Sequence, residues 1–589
     1  MVKIYEMRTM INSVSRQIQL CYVLIFQLFS FSLAAQDFYK GVDLSYVNEL
    51  EACGATYTDA AGEPGEPYHI LASAGSNVVR LRLWHDPAWT SFSNLEDVRV
   101  SIAKAKAAGM SVMLDFHYSD FWADPGRQWR PAAWESIESD EVLADSVYQY
   151  TTNVLIHLHE LNLLPEMVQI GNETNGNILL TRGEAAIDGS GDARLYPVDW
   201  SRQVDLLQHG VDAVKDLNQS LGTDVKTILH VAGPHNATYW FEEATSAGLS
   251  DFDIIGLSYY PQWHEMGVRA LGETVALLKG RFNKEVMIVE TGYPWTTDSS
   301  GDNANNVLGF GSRLFTYSST FSIETQRDFL TELTWLVKDN GGLGVVYWEP
   351  AWVATDCATY WGTGSHWDNA TLFDFEGRLH GGSDFLSYDY SVMPEALSDQ
   401  EVTFMVDMTG VEVDNGVFVT GDFTGITWSL LPMSLSANNL YLLETTIPGR
   451  TTGAYIYYNN DLWSDPYREQ VPALCADVWD THREYRVKGD SATFHFAWGS
   501  CDQVPIEIAL GLDTTSPVVV FPTFVQNTLR VKSASPIRRY EIVDMNGRTA
   551  FSMKNTDNSI EVDHVSPGLY ILKVWGDDGL VQITRFIKM

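Results

Sequence analysis

The chain of 589 residues carries 76 Asp and Glu against 38 Lys and Arg, a formal net charge of −38, with 45% apolar and 19% charged residues. That balance excludes a largely disordered chain, and the acidity excludes nucleic acid or another polyanion as the main partner. The 19 Trp, 27 Tyr and 26 Phe supply many flat rings, which suit neutral sugar faces as well as protein cores.

In chain order, residues 1–35 read as a signal peptide. Lys3, Arg8 and Arg16 precede the apolar run Tyr22 to Ala35, which ends in Ser32-Leu33-Ala34-Ala35 and is shorter than the ~20 residues of a membrane span. The mature chain is expected to begin near Gln36 and to be secreted or held at the cell surface. Export permits disulfides. Cys475 and Cys501 share one strand-rich region and are expected to pair, contributing roughly 3–4 kcal/mol on the chain-entropy model. Cys53 and Cys357 either pair across the first domain or stay free. No C-x-x-C is present, so zinc and redox motifs find no support.

From Gly41 to about Pro350, short apolar runs alternate with helical patterns. Eight runs read as strands: Gly41 to Ser45, Asn77 to Leu83, Ser111 to His117, Met167 to Asn172, Thr227 to Gly233, Asp253 to Tyr260, Val286 to Thr291 and Leu343 to Glu349. Helices are expected between them, for example over Leu95 to Ala108 and Gln326 to Val337. Eight such units predict a (β/α)8 TIM barrel within 36–394, with an open doubly wound sheet as the alternative. Missing Gly-rich phosphate loops weaken nucleotide-binding versions of that alternative. Short alternating segments then predict a β-sandwich over 397–503, and a second small all-β unit follows over 517–589.

Barrel chemistry sits at the carboxyl ends of the strands, so the polar residues closing each run matter most. The fourth run ends in Gly171-Asn172-Glu173 and the seventh in Val289-Glu290-Thr291. A carboxylate directly after four apolar residues is costly unless it is hydrogen-bonded or functional. Two such Glu residues are the pair that retaining glycoside hydrolysis needs, one as acid/base and one as nucleophile. Around them stand Arg80 and Arg82, Asp115 and His117, His230 and His235, Tyr259 and Tyr260, and Trp348. By alternation Arg80 and Arg82 point the same way, and one of them is expected to donate to the nucleophile. Trp348 rather than its neighbour Glu349 is expected at the barrel mouth as a sugar platform. His230 is expected to be a core histidine with a satisfied hydrogen bond.

Four stretches make the reading specific: Arg80-Leu-Arg-Leu-Trp-His-Asp-Pro87, Asp115-Phe-His-Tyr-Ser-Asp-Phe-Trp-Ala-Asp-Pro-Gly126, Val168-Gln-Ile-Gly-Asn-Glu-Thr-Asn-Gly176 and Val289-Glu-Thr-Gly-Tyr-Pro-Trp295. With Trp348-Glu-Pro-Ala-Trp352 and Leu372-Phe-Asp-Phe-Glu-Gly377, they resemble glycoside hydrolase family 53, the arabinogalactan endo-β-1,4-galactanases, from Gly41 to about Gly377. The resemblance implies Glu173 as acid/base, Glu290 as nucleophile, and Asn172 at the sugar 2-hydroxyl. From their places at the strand ends, Arg80, Asp115, His117, Tyr259 and Trp348 are expected to bind substrate, and the resemblance implies a neutral β-1,4-galactan as that substrate. The chain departs from the family at Leu180, where Trp is common, which weakens the expectation of an aromatic subsite there. Bacterial relatives often carry a structural calcium in the loops after strands seven and eight. Asp298, Asp302, Ser365 and Asp368 are the corresponding oxygen donors here.

The unit over 397–503 resembles starch-binding-like and immunoglobulin-like modules appended to glycanases, with Trp428, Trp463 and Tyr467 as candidate stacking residues. Sugar binding and simple spacing are both open to it. The last unit, with Tyr540-Glu-Ile-Val-Asp-Met-Asn-Gly547 and Val565-Ser-Pro-Gly-Leu-Tyr-Ile-Leu572, resembles a type IX secretion sorting domain, so that secretion machinery is an expected partner. A monomer is expected. The competing readings are a retaining enzyme on another neutral β-1,4-glycan such as mannan, and a surface glycan-binding protein without activity.

Overall fold

The computed structural model describes residues 38–182, 191–264, 266–304, 317–318, 321–413, 415–425, 428–437, 439–476 and 481–503, with segments of 518–588. The expected signal peptide lies outside these residues. The chain divides into two compact units, 1–392 and 393–589.

In the first unit eight parallel strands close into a barrel: β1 (Tyr39–Asp43), β2 (Val78–Leu83), β3 (Ser111–Phe116), β4 (Met167–Ile170), β5 (Lys226–Ala232), β6 (Ile254–Tyr259), β7 (Glu285–Thr291) and β8 (Gly344–Tyr347). Closure is direct: Gly41 of β1 lies opposite Val346 of β8 on one side and Val78 of β2 on the other. This rules out the open sheet. Each observed strand lies within two residues of the run expected from sequence.

The helices are α1 (Val47–Ala52), α2 (Pro67–Ser73), α3 (Leu95–Ala107), α4 (Asp140–Glu160), α5 (Trp200–Leu221), α6 (Pro234–Ser246), α7 (Val268–Phe282) and α8 (Ile323–Asp339). Their ends follow from local chemistry. The Asn94 side chain accepts the Asp97 N–H to start α3. A capping box of Ser322 and Thr325 starts α8 a turn earlier than its apolar periodicity suggested.

Inside the barrel, Val78, Met113, Met167, Ile228, Ile254, Met287, Val289 and Val346 form one apolar cluster. Two residues further along, the same inward face reads Arg80, Asp115, Gln169 and His230, because strand side chains alternate with period two. The barrel is therefore apolar at the amino ends of its strands and polar at their carboxyl ends. β7 breaks the alternation. Against β6, Leu257 pairs with Ile288 but Ser258 pairs with Glu290; against β8, Val345 pairs with Ile288 but Tyr347 pairs with Thr291. One extra residue in β7 is a β-bulge, and it turns Glu290 to the face that Met287 and Val289 already occupy.

The second unit is all-β. One sheet of its sandwich runs, in spatial order, β12 (Ser434–Ala437), β13 (Leu440–Pro448), β9 (Asp399–Asp407), β16 (Ala492–Ala497). The other runs β11 (Leu431–Pro432), β10 (Phe418–Gly421), β14 (Thr452–Tyr458), β15 (Arg483–Arg486). Phe404, Val406, Val419, Tyr455, Tyr457 and Tyr485 fill the space between them. Beyond it, residues 518–588 form a three-stranded and a five-stranded sheet around Tyr540, Ile542, Ile560 and Leu572. Both cysteine pairs are joined, Cys475 to Cys501 and Cys53 to Cys357. The second pair ties the end of α1 to the loop after β8.

Candidate active site

Above the apolar layer, at the carboxyl ends of the strands, lies a cleft with a cavity volume of about 310 Å³, lined among others by Arg82, Asn172, Glu173, Tyr260, Glu290 and Trp348. An oxygen of Glu173, an oxygen of Glu290 and a ring nitrogen of His230 all lie within 4.8 Å of one another. Two carboxyl groups this close match the ~5–5.5 Å of retaining glycosidases rather than the ~6.5–9.5 Å of inverting ones.

Glu173 follows β4 through a sharp turn. Gly171 has φ of +80°, and a Cβ there would meet Thr174 Cγ2 at 2.6 Å. Glu173 itself adopts φ of +45°, a strained conformation for a residue with a side chain. Its Oε1 accepts a hydrogen bond from Ser258 Oγ at 2.6 Å. Ser258 Oγ lies 2.8 Å from His230 Nε2, so with the hydroxyl proton turned to Glu173 this nitrogen is the donor. His230 Nδ1 then accepts from Gln169 Nε2 at 3.0 Å. Burial holds His230 well below the ordinary imidazole range, so the ring is neutral. The expected core histidine thus fixes the orientation of Glu173 through Ser258.

Glu290 is held at both oxygens. Arg80 Nη2 lies 2.8 Å from Oε1, and Tyr260 Oη donates to Oε2 at 3.0 Å. Arg80 is buried and also donates to Asp43 (2.8 Å), Asp115 (2.8 Å) and Asn172 Oδ1 (2.7 Å). Burial pushes Glu290 up to about 7, with Arg80 pulling the other way. Burial and the charge of Glu290 raise Glu173 well above the usual carboxylate range, with the Ser258 hydrogen bond and the more distant Arg80 opposing them. With a guanidinium at 2.8 Å on one oxygen and a phenol donating to the other, Glu290 is the member of the pair that loses its proton first. Near neutrality the cleft holds one carboxylate and one carboxylic acid, and because Oε1 of Glu173 already accepts a hydrogen bond, its proton belongs on Oε2.

Several expected substrate contacts are placed differently. Tyr259 turns away from the cleft: its hydroxyl donates to Met266 O at 2.7 Å and its ring packs on Phe329. Tyr260 takes its place, since Ser258 and Tyr260 share one face of the chain and Tyr259 the other. Asp115 is fully buried and does not line the cleft. Its oxygens meet Arg80, Gln169 and His117 Nε2 (3.0 Å). Burial favours its neutral form, but Arg80 and His117 outweigh that and hold it below the usual carboxylate range. Asp115 orients donors instead of touching sugar. His117 does line the cleft, with Nδ1 accepting the Ala123 N–H at 3.1 Å. Asn172 faces it too, its amide held by Ala123 O and Arg80. Trp348 is at the mouth, while Glu349 is buried near Arg82, 3.6 Å away. The Arg82 guanidinium lies over the rings of Tyr46, Trp84 and Trp122 at 4.3–4.7 Å. Sequence reasoning named Tyr260 beside the pair but missed Ser258, and it missed Asp43 and Gln169, which hold Arg80 and His230 in place. A carboxylate inside the apolar run Gly41 to Ser45 was the signal for Asp43, and period-two counting back from Glu173 was the signal for Gln169.

Of the four expected calcium donors, three gather. Asp302 Oδ2 accepts from Ser365 N at 2.8 Å and from Ser300 Oγ at 3.1 Å, and Asp368 Oδ2 accepts from Ser300 N at 2.7 Å. Asp298 is exposed on the preceding loop. Among the described residues no three carboxylate or imidazole ligands converge here. Two carboxylates whose oxygens already accept N–H donors are a partial set for a hard cation.

The sequence model of "Glycosyl hydrolase family 53" matches residues 39–383. An arabinogalactan endo-β-1,4-galactanase of Cellvibrio japonicus is 45% identical over 362 residues, covering 61% of this chain and 93% of its own length. The chain belongs to glycosyl hydrolase family 53. An endo-β-1,4-galactanase of Bacillus subtilis is 32% identical, covering 59% of this chain and 81% of its own. Among solved structures, the Ignisphaera aggregans GH53 catalytic domain superposes with a TM-score of 0.53 at 35% identity, over 61% of this chain and 98% of that one. The family match spans the barrel, and family 53 makes the protein a glycosidase. Residues 519–589 match a secretion system C-terminal sorting domain, so the protein is secreted or attached to the cell surface. Among the described residues no helix is long and apolar enough to cross a membrane.

Proposed function

We propose that this family 53 glycosidase is an endo-acting, retaining β-1,4-galactanase that cuts the galactan chains of arabinogalactan and pectin. The observation carrying the reading is the pair of facing carboxyl groups, Glu173 and Glu290, within 4.8 Å and with unequal proton affinities. The names of the relatives support the choice of galactan.

In the first step an oxygen of ionised Glu290 attacks the anomeric carbon while Glu173 Oε2 gives its proton to the departing glycosidic oxygen. The bond to the leaving chain breaks and a covalent galactosyl ester forms on Glu290. Glu173, now a carboxylate, takes a proton from a water that attacks the same carbon, and the Glu290 carboxylate leaves. Arg80 and Tyr260 share the charge on Glu290 as it comes and goes. Trp348 offers a ring face at the mouth, and Asn172 offers its amide to a sugar hydroxyl.

Reducing-end release and proton NMR of the first-formed product on unbranched β-1,4-galactan test the proposal. The expected product is the β-anomer, with mannan and cellulose cut at least tenfold more slowly. An initial α-anomer means inversion and removes the roles given to both carboxylates. Equal rates on all three polymers remove the substrate. Calcium stays outside this mechanism: Asp302, Ser365 and Asp368 would hold it, and it would only brace their loops. A rise in melting temperature with calcium over EGTA is expected, and identical melting removes the ion.

A further inference from the structure

Trp463, in the sandwich, is 54% exposed although one face of its indole is covered. That face stacks on Tyr458, with ring centroids 5.3 Å apart and planes 27° apart. Tyr458 ends β14, where Tyr455 and Tyr457 point into the core, so by alternation Tyr458 stands on the outer face of its sheet. The remaining exposure of Trp463 is therefore one flat face turned to solvent and backed by a buried ring. A core tryptophan would be covered on both sides.

The surface continues from there. Tyr458 bridges to Arg468 through the backbone, and Arg468 Nη2 donates to Thr481 O at 2.8 Å and to His482 Nε2 at 3.2 Å. The His482 ring meets Trp428 edge-on at 4.9 Å, and Trp428 Nε1 donates to Asp422 Oδ1 at 3.0 Å. One connected track thus runs from an open indole through a guanidinium and an imidazole to a second, half-buried indole whose edge is pinned.

We propose that this track is a second glycan-binding site and that its occupant is the neutral β-1,4-galactan chain cut by the barrel, an identification that rests on the function proposed above. Pyranose rings present a C–H face for Trp463 and hydroxyl edges for the polar groups beside it. Single-stranded nucleic acid also stacks on aromatic rings, but it needs a basic groove, and this chain carries a net charge of −38. A polymer holding the track raises the local concentration of its other segments at the cleft without any change in the chemistry there.

The test uses the full chain with Glu290→Gln, so that polymer is not consumed, and measures retention on insoluble β-1,4-galactan. Trp463→Ala should weaken retention by about tenfold, less than the ~10²–10⁴ that a whole second tethered site adds because only one ring of it is lost, and Trp463→Tyr should restore most of it. Leu474→Ala, which trims a side chain that is 92% exposed nearby in sequence, should change nothing. With Glu290 intact, Trp463→Ala should cut short soluble galacto-oligosaccharides at the parental rate. Unchanged retention of Trp463→Ala, or an equal loss with Leu474→Ala, overturns the site. Equal retention on mannan or cellulose overturns galactan as its occupant. Wild-type cleavage of soluble galactan tests the barrel separately, so the proposed function can stand where this inference falls.

Discussion

Glu173 and Glu290 are the same residue type a few ångströms apart, and their different work follows from what touches them. Arg80 and Tyr260 favour the ionised form of Glu290, whereas Glu173 has a single hydroxyl donor and a negative neighbour. Activity needs Glu290 deprotonated and Glu173 protonated, so kcat/KM should trace a bell whose acid limb belongs mainly to Glu290 and whose alkaline limb belongs mainly to Glu173. Tyr260→Phe removes a donor to the Glu290 carboxylate, raises its pKa and should move the acid limb to higher pH. Ser258→Ala does the same to Glu173 and should move the alkaline limb to higher pH. If neither limb moves, these hydrogen bonds do not set the protonation of the pair. Both Glu residues were legible in the sequence, because a carboxylate ending an apolar strand has few reasons to be there. The choice between Tyr259 and Tyr260 was legible only in part: alternation separates the two, but which of them faces inward depends on where the strand bends.

At the scale of elements, the cleft wall beyond β8 rests on a short hairpin, Ala358–Thr359 paired with Gly362–Thr363. It carries Trp361 into the cleft, and the adjacent Cys357 is joined to Cys53. Asn303 meets the other side of the hairpin, with its N–H donating to Thr363 O at 3.2 Å. Replacing both cysteines by serine should free Trp361 to reorient. Ordering one large side chain costs ~0.5–1.5 kcal/mol, so KM should rise roughly two- to tenfold with a smaller change in kcat. A lower melting temperature with unchanged KM would make the disulfide a staple for stability alone. All eight strands were legible because parallel strands buried on both faces read as continuous apolar runs. The pairing of Cys53 with Cys357 was not, since their separation of 304 residues gives no local signal.

At the scale of the whole molecule, catalysis and delivery occupy different parts of the chain. The barrel closes on itself around its own core, and the sorting domain match begins only at residue 519. Deleting 519–589 should leave kcat and KM on soluble galactan unchanged in vitro while the enzyme stays in the periplasm of its host, as read by fractionation and immunoblotting. Normal export of the truncated chain would show that these residues are not the address. The β-nature of both C-terminal parts was legible from their alternating segments.

The bulge in β7 makes the length of that strand as consequential as its composition. Gaining one codon within Val286 to Val289, with the bulge kept, would bring the following carboxylate opposite Tyr259 instead of Ser258 and swing it out of the cleft. Such a protein could keep every residue of the active site and a closed barrel, yet hydrolyse nothing. When new family members are compared by the presence of Glu290 alone, a single-residue insertion just before it is the change that separates an enzyme from its inert copy.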